Sequence, residues 1–273
     1  DVFRGVVYAL VQHVFLDMAG DARDCGNQLG IIVAGRGQIQ ITSNNANGSL
    51  TQTTGGYVQA MSNTTFNLNT NDLTLNNRAN SFGGYSGSSA SSTNVATGDE
   101  LILNNGGHIE VASDHSFNVR TANSGVSGNL TLVSGAAENA NSAFGITDSD
   151  DVLVGGNFSA TTNGNNGAIV MGTLEIDGTI ALTTHGTGNA TLDNGSLNID
   201  LAASNVGGNL TVTSGNASGI TDSGTVTVGG NLVATTDANS GVINLDSMAV
   251  DGTFTLSPHS TGAVTVVNDA GLD

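Results

Sequence analysis

Three acidic residues close together, Asp148, Asp150 and Asp151, carry the clearest chemical signal in the chain. They lie in a polar turn-like segment and supply hard oxygen ligands of the kind calcium takes. The segment is not an EF-hand loop, and the Gly-Gly-x-Gly-x-Asp nonapeptide of calcium β-rolls is missing from the sequence. The same carboxylates could serve a glycosidase, which needs two of them about 5–10 Å apart across a cleft. Asp148 recurs as Asp222 without the other two acids, which is how a solvated turn carboxylate behaves. Calcium is therefore the one metal these residues suggest, and no cofactor is implied. His185 and His259 recur at matching places, an expected three coils apart, roughly 14 Å and too far to share an ion. His108 and His115, with Glu110 and Asp114 between them, read as a surface cluster. Cys25 has His13 near it in sequence and no further partner for nucleophilic chemistry, so it reads as a small buried hydrophobe.

Charge narrows the classes further. The formal net charge is −18, with 23 Asp+Glu against five cations, all of them Arg and none beyond Arg120. A reader of phosphate backbones needs a basic face, so nucleic-acid binding is excluded. The apolar run Val6–Met18 contains His13 and Asp17 and is too short and polar to span a bilayer, so no membrane insertion is expected. A lyase would want Lys or Arg beside its carboxylates, and Lys is absent.

The elements that would position these residues are repeats. Val206-Gly-Gly-Asn-Leu-Thr-Val-Thr213, Val228-Gly-Gly-Asn-Leu-Val-Ala-Thr235 and Val250-Asp-Gly-Thr-Phe-Thr-Leu-Ser257 start 22 residues apart. The phrase also appears from Val126, Val154 and Ile176, the last two again 22 apart. The wider gap after Val126 leaves room for an insertion near Ala136–Phe144, expected as a bulge outside the rod. A longer period sits on top. Gly145-Ile-Thr-Asp-Ser149 recurs as Gly219-Ile-Thr-Asp-Ser223, and Asp177-Gly-Thr179 recurs as Asp251-Gly-Thr253, both at one and the same offset.

Within each unit apolar residues alternate with polar ones, as in Leu210-Thr-Val-Thr213, and period 2 means strand. Gly, Asn and Ser clusters between the runs supply turns. A unit of about 22 residues with two or three short strands is one coil of a solenoid, whose neighbours share a continuous core. The expected fold is all-β, a right-handed parallel β-helix. One inward column would hold Leu130, Phe158, Ile180, Leu210, Leu232 and Phe254, and the next Leu132, Ala160, Leu182, Val212, Ala234 and Leu256. An outward row would hold Thr161, Thr183, Thr213, Thr235 and Ser257. Residues 126–273 form the regular coils and 31–125 less regular ones, with a protruding loop near 82–98. Residues 1–30 fall outside the repeat and read as a cap or assembly strand.

The phrases Gly208-Asn-Leu-Thr-Val-Thr-Ser214, Ile220-Thr-Asp-Ser-Gly-Thr-Val-Thr-Val-Gly-Gly-Asn-Leu232 and Leu73-Thr-Leu-Asn-Asn77 with Phe82-Gly-Gly84 resemble the repeats of filamentous-haemagglutinin-type exoproteins. The resemblance covers roughly residues 31–273 and concerns repeat style. It implies a β-helix stalk, secretion and life at a bacterial surface, and names no ligand. The resulting expectation is a non-catalytic structural or adhesive protein, an adhesin stalk or the subunit of a surface filament. Its partners would be further copies docked end to end, or glycans and proteins on host or neighbouring cells. A polysaccharide-acting lyase or glycosidase is the alternative.

Overall fold

Strands cover most of the described residues because few of the segments can do anything else. Thr and Val favour extended backbone, while Gly, Asn and Ser are poor in helix interiors. The computed structural model describes residues 7–9, 13–18, 27–34, 37–43, 49–60, 62–82, 100–135 and 143–269. Among them all regular secondary structure is β. Every strand pairing is parallel, and each strand pairs with one about a coil further along the sequence. The result is a β-solenoid with coils of about 22 residues.

The coils around residue 210 show the cross-section. Ile199–Leu201, Ser204–Val206 and Leu210–Ser214 form three short sides. The next coil repeats them as Ile220–Asp222, Val226–Val228 and Leu232–Thr236. Ile199 stacks on Ile220, Val206 on Val228 and Leu210 on Leu232, which in turn stacks on Phe254. In Leu210–Ser214 the first, third and fifth side chains are buried and the two threonines between are half-buried. Each inward Leu, Ile or Val contributes about 1.5–3 kcal/mol when fully buried. The neighbouring coils supply most of that cover, so a single coil would not hold alone.

The expected inward column is divided by the structure. Leu130, Phe158 and Ile180 form one ladder, which continues to Leu201. Leu210, Leu232 and Phe254 belong to the other sheet, above Ala190, Ile169, Ile146 and Phe117. The second column and the threonine row divide at the same place: Thr161 pairs with Thr183, while Thr213 pairs with Thr235 and Thr235 with Ser257. The reason lies in coil length. Leu210 follows Ile180 by 30 residues, while one turn from Ile180 ends at Leu201 after 21, so Leu210 falls nearly half a turn further on. From Ile146 three full turns arrive at Leu210, so the repeat copy of Ile146, Ile220, lies half a turn further, in the opposite sheet.

Three other expectations concern the irregular parts. Phe82, where the expected loop would start, is itself buried and packs edge to face on Phe117, ring centroids 6.0 Å apart. Residues 83–98 of that loop lie outside the described residues. Phe144 is likewise buried rather than bulged, while 136–142 lie outside the described residues. In the N-terminal part, Val7–Ala9 stacks on Asn27–Ala34 and His13–Met18 on Gln38–Ser43, in the same parallel sense as the coils above.

Candidate functional site

A solenoid coil must change direction at its corners, and there the side strands leave backbone N–H groups to be satisfied. The fourth residue of the repeated phrase does this. The Asn189 side-chain oxygen accepts the N–H of Asn209 at 2.8 Å, Asn209 that of Asn231 at 2.8 Å, and Asn231 that of Thr253 at 2.9 Å. A second ladder climbs an earlier corner. Asp72 accepts from His108 N, His108 Nδ1 from Asn129 N, Asn129 from Asn157 N, and Asn157 from Thr179 N. The glycine before each of these residues except Asp72 leaves room for the ladder. A Cβ on Gly252 would stand 2.5 Å from both the Asn231 side-chain oxygen and the Gly230 carbonyl. The phrase Gly-Gly-Asn-Leu is thus a corner tie followed by an inward anchor.

The acidic candidates fall into the same scheme. Asp148 Oδ2 accepts the Thr173 N–H at 2.6 Å and its hydroxyl at 2.8 Å, one coil on. Its repeat copy Asp222 accepts the Asp246 N–H at 2.7 Å, again one coil on. Asp150 accepts the N–H of Asp151, and both are exposed. The structure therefore separates the three residues: Asp148 is a corner tie, and Asp150 and Asp151 face solvent beside it. Among the described residues no group of three or more His, Cys, Asp or Glu is placed to hold a metal ion.

The imidazoles are spread across several corners. The His115 ring packs on Phe144, centroids 5.5 Å apart. His185 Nδ1 lies 2.7 Å from the Thr162 carbonyl oxygen. His259 donates its backbone N–H, not a ring nitrogen, to Thr236 Oγ1 at 2.9 Å. His185 ends a strand of one sheet and His259 follows a strand of the other, so the pair does not stack three coils apart on one face. Cys25 and the His13 side chain lie outside the described residues.

Sequence reasoning missed the inward hydroxyls. Thr162, Thr184 and Thr236 are buried and donate to the carbonyls of Gly167, Gly188 and Gly241, closing the turn that follows each strand. A signal was present: each is the second of a Thr-Thr pair, and period 2 turns it inward. Asn194 is buried as well. It accepts from Ile176 N at 2.8 Å and donates to the carbonyls of Ile176 and Asn198. An amide that satisfies several polar groups in this way replaces strand pairing at a corner.

The fold disturbs the ionisation of Asp222. Burial raises its carboxyl above the ordinary value, and the charges of Asp246 and Asp200 push the same way, against the lowering effect of the backbone bonds from Asp246 and Ser247. A carboxylate raised in the folded state costs stability once the pH exceeds the folded value, and costs nothing below the unfolded value, where both states are protonated. Asp222→Asn keeps the acceptor for Asp246 and removes the charge. Its melting temperature is expected to exceed that of the parent at pH 7, with the difference vanishing near about pH 3. Melts at the two pH values check this, and a variant less stable at pH 7 would show that the charge-assisted bond outweighs burial.

Comparison with known proteins adds one finding. A family model described as repeats of unknown function (DUF5649) matches residues 20–89 and 187–253, half of the chain between them. No curated protein and no solved structure matches the chain.

Proposed function

The chain belongs to the family of DUF5649 repeats, and from that premise we propose that it is a non-catalytic structural β-solenoid of an extracellular surface, an adhesin stalk or a filament subunit. The observation that carries the reading is how the corner groups are used. Asp72, Asp148, Asp222, His108 and the asparagine ladders are engaged in coil-to-coil hydrogen bonds. Side chains that an enzyme would direct at a substrate here hold one coil to the next. The absence of Lys, the net charge of −18 and the likeness of repeat style to filamentous-haemagglutinin-type exoproteins support secretion and a place at the cell surface or in extracellular matrix.

The partners we propose are further copies, stacked end to end, and surface glycans or proteins. Among the described residues, Phe254–Ser257 and His13–Met18 stand at opposite ends of one sheet path, each paired there on one side. A strand edge with apolar neighbours is a template for another strand. A head-to-tail contact of this kind builds an open filament rather than a closed dimer. Repulsion between acidic copies opposes it at low salt, so assembly should strengthen as sodium chloride or calcium rises.

Light scattering and electron microscopy of the purified chain across both titrations test this, beside a version lacking residues 1–20. Salt-dependent rods that the truncation abolishes are the expected result. A monomer under every condition removes the filament and leaves the stalk. Release of unsaturated or reducing ends from acidic polysaccharides incubated with the chain would replace both with a carbohydrate-cleaving enzyme.

A further inference from the structure

We draw no further inference here: the strongest candidate, the carboxylate cluster of Asp200, Asp222 and Asp246 at the corner where three successive coils stack, rests on acidic side chains alone, none of them deeply buried and not placed to share an ion.

Discussion

Leu232→Asp is expected to destroy the regular coils, at a cost of more than about 4 kcal/mol, whereas Thr213→Ala should cost less than about 0.5 kcal/mol. Leu232 is fully buried between Leu210 below and Phe254 above. A carboxylate there would be buried without a partner, and removing the leucine also opens a void against both neighbours. In a stacked array each coil is stabilised largely by its two interfaces, so a defect in the middle weakens both at once. Thr213 is half-buried on the outer side of the same sheet, and shortening it removes little. Thermal melts followed by circular dichroism compare the two variants with the parent. Because solenoids need not unfold in one step, hydrogen exchange of the strands Leu210–Ser214 and Leu232–Thr236 should accompany the melts. Equal tolerance of both substitutions would mean that the inner and outer faces are assigned the wrong way round.

The period and the inward positions were legible in the sequence for a simple reason. Alternation and turn residues act over a few positions, and Leu210, Leu232 and Phe254 keep the same local surroundings at a constant spacing. The phase between distant repeats was not legible. Matching phrases report that Leu130 and Leu210 each follow a Gly-Asn corner, and both do. Which sheet each enters depends on the accumulated length of the coils between them. Leu210 comes 30 residues after Ile180, whereas one turn from Ile180 reaches Leu201 after 21, and the nine left over carry the chain half a turn round into the other sheet. The same phrase serves either sheet because each needs a tied corner and an apolar residue turned inward.

The site shows the same boundary between local and non-local information. Asn209 and Asp222 were visible as recurring turn residues. Their roles were not, since the groups they bind, Asn231 N and Asp246 N, lie a whole coil away in sequence and meet them only after stacking. Phe82 looks like a loop residue in the sequence because a Gly- and Ser-rich segment follows it directly. Its burial is set by Phe117, far along the chain and adjacent only in the fold.

Stacking also ranks glycines that the sequence cannot tell apart, and Gly219→Ala is expected to be the most damaging of three such changes. Gly219 has a φ of +66°, which for alanine costs about 1–2 kcal/mol. A Cβ there would also run into the Val242 carbonyl oxygen, with Val242 N at 2.6 Å. Neither backbone can yield. The Gly219 carbonyl accepts Ile199 N at 2.9 Å and the Val242 carbonyl accepts Ile220 N at 2.9 Å, both ladder bonds. The combined cost should reach about 4 kcal/mol, the range of severe single changes. Gly145, its repeat copy, lacks the positive φ and would place its Cβ 2.7 Å from the Ala168 carbonyl, so Gly145→Ala should be damaging but milder. Gly172 has nothing within 4 Å of a Cβ and no positive φ. Gly172→Ala should therefore stabilise, by about 0.4–1 kcal/mol, through the lower entropy of the unfolded chain. Melting temperatures falling in the order Gly172→Ala, parent, Gly145→Ala, Gly219→Ala support this stacking of the coils. A Gly219→Ala protein as stable as the parent would mean that Gly219 and Val242 are not on adjacent coils, and the register of that sheet would have to be redrawn.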